Sequence, residues 1–209
     1  FRITEKLSNK DTARIVGLLL ASYWFMPFLS VRNLVEWVSI PFLVLMCWWI
    51  VKRDENSKTS AQYFIAGLFG GMAMCVRFQS AIFVAGVLAA LLLKQKWKPL
   101  VISGIGVALF FGLEQGISDY MIWGKPFVEF REYVQYNIDN ATQYLSNSWY
   151  SYIVLILGLL LPPVSLFLFW GFLRTWRKQI IIFLPTFLFL AKTARTSAEF
   201  LRKKKGSSE

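Results

Sequence analysis

Histidine is missing altogether from the 209 residues. That excludes Ser-His and Cys-His catalysis, imidazole general bases and His-ligated metal centres. Cysteine is nearly missing too. Cys47 and Cys75 both lie inside apolar runs, and read as small buried hydrophobes, neither a disulfide nor a metal pair. Acidic residues are scarce, 12 against 23 Lys and Arg, for a formal net charge of +11. No G-x-x-x-x-G-K-[ST] occurs, and no G-x-G-x-x-G after a strand, which argues against an ATP-driven pump. There is no D-x-D triplet, and Asp54-Glu55 sits in a basic stretch, so no metal or other cofactor is assigned.

What the chain has in quantity is apolar surface. Hydrophobic residues make up 56% of it and aromatics 17%, gathered into long runs. This excludes a disordered tail, a collagenous repeat and a small disulfide scaffold. Seven apolar segments are read: Ile15–Ser30, Leu34–Val51, Ala61–Val76, Ala81–Leu93, Leu100–Leu113, Tyr150–Phe172 and Ile180–Ala191. Several fall short of the roughly 20 residues of one bilayer crossing. Flanking Trp, Tyr and Ser must extend them, or they pair as tight helical hairpins. No period-2 alternation runs through them, so a transmembrane barrel is not expected. The fold class that remains is an all-α integral-membrane helix bundle of about six or seven spans with one long outer-face loop. In a soluble protein a charge of +11 would point to nucleic acid. Here the basic residues flank apolar runs, so the bilayer is the partner and nucleic acid is not.

Orientation follows from the Lys/Arg content of alternate loops. One side holds Arg2, Lys6, Lys10 and Arg14, then Lys52, Arg53 and Lys58, then Lys94, Lys96 and Lys98, then Arg174, Arg177 and Lys178. The other holds Arg32, Arg77 and a long loop from about Glu114 to Trp149, with Lys125 and Arg131 against Glu114, Asp119, Glu129, Glu132 and Asp139. The long loop is therefore placed on the non-cytosolic side. A bacterial inner membrane is the first expectation, and the ER membrane the expectation for a eukaryotic chain. The C-terminus breaks the alternation. Ile180–Ala191 would be only about 18 Å of helix, and the basic stretch after it would emerge on the wrong side. Residues 1–191 are read as one transmembrane region, N-terminally truncated, and 192–209 as a basic tail that is non-native or disordered.

Ionisable groups near bilayer depth are functional candidates, and here they collect at the outer face. Arg32 and Glu36 are spaced i, i+4 and can pair; Arg77 and Gln79 sit in one outer turn; Glu114 and Asp119 lie where span five emerges. One reading is interfacial snorkelling with an ordinary salt bridge. The other is a site that holds a lipid-linked phosphate on Arg32 and Arg77, since guanidinium suits bidentate phosphate recognition. Tyr133, Tyr136 and Asn137, mid-loop beside carboxylates, suit a saccharide surface as well as they suit an aromatic belt. Asn140-Ala141-Thr142 matches a glycosylation acceptor. Gly67 and Gly71, with Gly70 between them, form a G-x-x-x-G that predicts close helix packing. Pro41 and Pro162-Pro163 are expected to kink spans two and six.

These pieces resemble a known family, the polyprenyl- or dolichyl-phosphate-mannose-dependent mannosyltransferases of N-glycan and GPI-anchor assembly and their bacterial relatives. Ser30-Val31-Arg32-Asn33-Leu34-Val35-Glu36 is similar to its S-R-x-L-x-N/E stretch. Gly67 through Arg77-Phe78-Gln79-Ser80 is similar to its glycine-containing helix that ends at an outer arginine. Asp119-Tyr120, Trp123-Gly124-Lys125-Pro126, Tyr136-Asn137, Tyr144 and Trp149-Tyr150-Ser151-Tyr152 follow its D…YG…P…YN…YG…PWYYY order. The sequence departs from that pattern at Trp123, Leu145 and Ser148. The family's acidic first outer loop, with its catalytic Asp, is expected upstream of Phe1, and its late H…N-K-E-x-R-F motif is replaced from about Lys192. A truncation or frame change is expected there.

The resemblance implies a C-type glycosyltransferase that moves mannose from a polyprenyl-phosphate donor to a glycan or glycolipid acceptor. Arg32 and Arg77 would stabilise the leaving phosphate, and Asp119, Tyr136 and Asn137 would shape the acceptor side. The catalytic base is expected outside this chain, which alone is then expected to be inactive. The alternatives are a transporter or flippase of lipid-linked or anionic substrates, and a non-catalytic membrane fragment.

Overall fold

The computed structural model describes residues 1–23, 35–52, 60–140, 154, 157–158, 164–176 and 178–192. Every element among them is helical. They are α1 (Arg2–Leu7), α2 (Lys10–Ser22), α3 (Val35–Val51), α4 (Ser60–Val76), α5 (Ser80–Leu93), α6 (Trp97–Trp123), α7 (Val128–Asp139), α8 (Val164–Thr175) and α9 (Ile180–Lys192). One helix among the described residues, α6, is long and apolar enough to cross a membrane; α3, α4, α5 and α9 are shorter apolar helices. At 27 residues α6 is about 40 Å long. Val101, Ile105, Leu109, Leu113 and Ile117, one per turn, form a stripe along it that is about half exposed.

Glycine decides how the bundle closes. α4 lies between α3 and α6, and its Gly67 meets the backbone of α6. A Cβ at Gly67 would overlap the Ser103 carbonyl, and one at Gly106 would stand 2.5 Å from the Phe64 carbonyl. Gly71 meets Phe110 Cβ at 2.8 Å in the same sense, and Gly70 meets the Met46 sulfur of α3 at 3.0 Å. The G-x-x-x-G reading is thus realised as backbone-to-backbone contact, the approach that small residues permit. Around it Met46, Cys47, Ile50, Ala66, Val84, Val87, Ala90, Leu91, Val107 and Ile181 form the buried core.

Short turns set the directions. Three residues, Arg77 to Gln79, join α4 to α5, and three, Lys94 to Lys96, join α5 to α6. The bundle therefore has an Arg77 end and a Lys94 end, and α6 returns to the Arg77 end. On α5, Gly86 receives Pro185 of α9, a Cβ there standing 2.5 Å from Pro185 Cα. Farther along α9, Phe189 and Leu190 share a cavity with Arg77 and Ser80. α9 therefore runs antiparallel to α5, toward the Arg77 end.

The expected long loop is helical over much of its length. α6 continues ten residues past Leu113, and α7 covers 128–139. The polar residues that suggested an exit from the helix are instead satisfied along it. Gln115 Nε2 donates to Asp119 Oδ1 at 3.0 Å, and Ser118 Oγ reaches Glu114 Oε1 at 3.5 Å, both i, i+4. What ends α6 is Gly124, in the left-handed region at φ 67°, with its N–H on the Tyr120 carbonyl. α3 runs as one helix through Pro41. Pro162-Pro163, Asn140-Ala141-Thr142 beyond its first residue, and the tail from 193 onward lie outside the described residues.

Candidate functional site

Arg77 follows the last residue of α4, its N–H held by the Ala73 carbonyl at 3.1 Å. The guanidinium is aimed by its neighbour in the turn, with Nε and Nη2 both donating to Gln79 Oε1, at 3.1 and 2.6 Å. It borders a cavity of about 480 Å³ between α3, α5 and α9, lined also by Ser39, Ile40 and Cys47, Ser80 and Phe83, and Thr186 and Phe189. The lining is almost wholly apolar below the arginine. A cationic residue in the wall of an apolar cleft is a combination that suits an amphiphile with an anionic head.

The partner arginine, Arg32, lies outside the described residues, as does the side chain of Glu36. The backbone of Glu36 is in the first turn of α3, and the next turn, at Ser39 and Ile40, lines the cavity.

Asp119 is fully buried. Oδ1 accepts from Gln115 Nε2 at 3.0 Å, and Oδ2 accepts from the Glu129 backbone N–H at 3.1 Å. Glu129 is the second residue of α7, so the carboxylate caps that helix and lies at the positive end of its dipole. The intervening turn is tight: Gly124 and Phe127 both have positive φ, and the Phe127 ring lies over Gly116, which has no side chain to block it.

α7 then lies back on the Arg77 end. Phe130 and Tyr133 meet Phe78, the residue after Arg77, with ring centroids 5.4 and 5.0 Å away, and Phe130 meets Phe111 at 5.5 Å. Asn137, on the same face, donates from Nδ2 to the Tyr133 carbonyl at 2.7 Å. Tyr136 is 58% exposed and lies about 100° round the helix from Asn137. The structure therefore gathers Arg77, the cavity and the Tyr133–Asn137 face of α7, while Asp119 is enclosed and Tyr136 faces elsewhere. Sequence reasoning missed Phe78, Phe111 and Phe130 as the hinge of this arrangement, and Ser39, Thr186 and Phe189 as the cavity wall. The thiol of Cys75 lies against Glu114. At the opposite end, burial and the neighbouring Lys96 pull Lys94 below the usual lysine range. Among the described residues no three Cys, Asp or Glu side chains gather to hold a metal ion.

Residues 1–193 match the family model described as the Alg9-like mannosyltransferase family. The chain belongs to that family. No curated protein and no solved structure gives a match. Membership makes it a chain of the glycosyltransferase class and of a membrane-associated family, in agreement with the apolar helix α6. It also recasts the apolar cleft, since mannosyltransferases of this family work in general with a lipid-linked sugar and a glycan acceptor.

Proposed function

We propose that this chain forms the membrane core of a mannosyltransferase that takes mannose from a polyprenyl-phosphate donor and passes it to a glycan or glycolipid on the periplasmic or lumenal side. The observation that carries this reading is Arg77, its guanidinium aligned by Gln79, in the wall of the apolar cavity. The donor's isoprenoid chain would lie in the cavity and its phosphate at the arginine. An acceptor hydroxyl, deprotonated by a carboxylate, attacks the anomeric carbon. The bond from that carbon to the phosphate oxygen breaks, and the phosphate leaves with the electron pair. Charge grows on that oxygen, and Arg77, with Arg32 as the second cation, stabilises it.

Asp119 is not the base in this scheme, because both its oxygens already accept hydrogen bonds. It contributes by holding α7, whose Tyr133–Asn137 face, and not Tyr136, would be the one to meet a sugar at the Arg77 end. The test is photo-crosslinking of a diazirine-bearing polyprenyl phosphate to the reconstituted chain. Arg77→Ala should abolish labelling of the cavity and Arg77→Lys should retain part of it. Where mannose transfer is measurable, Arg77→Ala should lower it by about 10²-fold or more. Undiminished labelling in Arg77→Ala would overturn the proposal, as would a cavity that transports the lipid without transferring its sugar.

A further inference from the structure

The helical repeat divides α7 into three sectors. At about 100° per residue, Phe130, Tyr133 and Asn137 share one arc, and Phe130 and Tyr133 pack on Phe78 and Phe111. Glu129, Glu132, Gln135, Tyr136 and Asp139 share a polar, mostly acidic arc. Between the two, Arg131, Val134 and Ile138 lie within about 60° of one another. All three are exposed, Val134 at 40% and Ile138 at 65%. The turn that leads into α7 is also apolar and open on every side: Tyr120, Met121, Ile122 and Trp123 are each more than half exposed.

A helix between a protein core and water needs two sectors, one apolar and one polar. α7 has a second apolar sector that the bundle does not cover, set between the packed arc and the acidic one. That order fits a helix at the junction of protein, hydrocarbon and water. Charge identifies the third phase. The one ionisable group on the open arc is a cation, and neither of the ion pairs among the described residues involves it. Lys125, in the turn before α7, is a second exposed cation. Arg131 can run its methylenes along an apolar surface and hold its guanidinium at phosphate level. The carboxylates are on the next arc round, Asp139 about 80° and Glu132 about 100° from Arg131, where they face water.

We propose that α7 and the last turn of α6 form an interfacial hairpin seated on the bilayer, with Val134 and Ile138 at the acyl–headgroup boundary and Arg131 on lipid phosphate. This reading does not depend on the sugar-transfer reaction, and its test does not use activity. The 209-residue chain, with Cys47→Ala and Cys75→Ala, would be reconstituted in vesicles of phosphatidylcholine and phosphatidylglycerol. It would carry one NBD label at Val134→Cys, Ile138→Cys or Gln135→Cys. Labels at 134 and 138 should be quenched several-fold more by shallow doxyl-lipids than by aqueous iodide, and the label at 135 the reverse. Iodide quenching at 134 and 138 equal to that at 135 would overturn the proposal. So would quenching by neither agent, because that outcome means another protein segment covers the arc. In the chain with its native cysteines, hydrogen exchange across 128–139 should slow several-fold when phosphatidylglycerol is added. Arg131→Glu should remove that dependence; an equal response in the variant would count against the proposal.

Discussion

Asp119 shows how one buried carboxylate can serve a site it does not touch. Its two oxygens join the body of α6 to the first turn of α7. Replacing it with Ala would leave the Gln115 amide and the Glu129 N–H without their acceptors, the amide in a place closed to water. Loss of a helix cap costs about 1 kcal/mol, and an orphaned buried donor about 1–3 kcal/mol. Asp119→Ala should therefore release α7 while the bundle stays folded. The expected outcome is faster hydrogen exchange over 128–133 with unchanged exchange in α4. Asp119→Asn should fall between, since the amide can still accept from Glu129 but presents N–H to Gln115. Uniform acceleration throughout the chain would refute a local latch. This role was not legible beforehand, because the bond to Glu129 spans ten residues and exists only once the 124–127 turn is known. The place of Arg77 and Gln79, by contrast, in the turn between α4 and α5, could be read from the two apolar runs on either side.

Between elements, the α4–α6 contact is the tightest in the bundle, and glycine is its cause. A methyl at Gly67 must push the Ser103 carbonyl away, so α4 and α6 would have to separate along the whole interface. Overpacking of this kind costs about 1–3 kcal/mol. Gly67→Ala should lower thermal stability in detergent by that order. Gly104→Ala and Gly112→Ala, on the same α6 but with nothing within 4 Å, should lose nothing and can gain up to about 1 kcal/mol of helix propensity. Equal loss at all three positions would mean that the close α4–α6 packing is not what is being read, since helix propensity alone would make each change a gain. The apolar runs of α3, α4 and α5 were placed within a residue or two by composition alone, since a hydrocarbon-like interior imposes long uninterrupted runs. α7 and the end of α6 were hidden because their polar residues follow helical spacing at low hydropathy. In such a stretch i, i+4 pairs and a loop look alike until partners are known. Pro41 lies within α3, inside the helix where its kink was expected.

At the scale of the molecule, the bundle has two ends of opposite character. The Lys94 end carries Lys94, Lys96 and Lys98 beside the α5–α6 turn. The Arg77 end carries Arg77, the cavity rim, the acidic arc of α7 and the aromatic cluster on Phe78. Positive charge is retained on the cytosolic side of a bilayer, so the proposed function puts the Lys94 end there and the Arg77 end opposite. On the proposed reading α5, 14 residues and about 21 Å long, is the helix that separates the two ends, because each of its three-residue turns holds the neighbouring helix end at its own depth. In sealed, uniformly oriented vesicles, an impermeant maleimide should modify Lys96→Cys from one side only. Tyr136→Cys should react from the other side, or after permeabilisation. If both thiols react from the same side without permeabilisation, α5 does not separate the two ends. A lipid-linked donor entering at Arg77 would then have no reason to meet an acceptor on the far side of the membrane. The proposed direction of transfer would fail with it, even though family membership would stand.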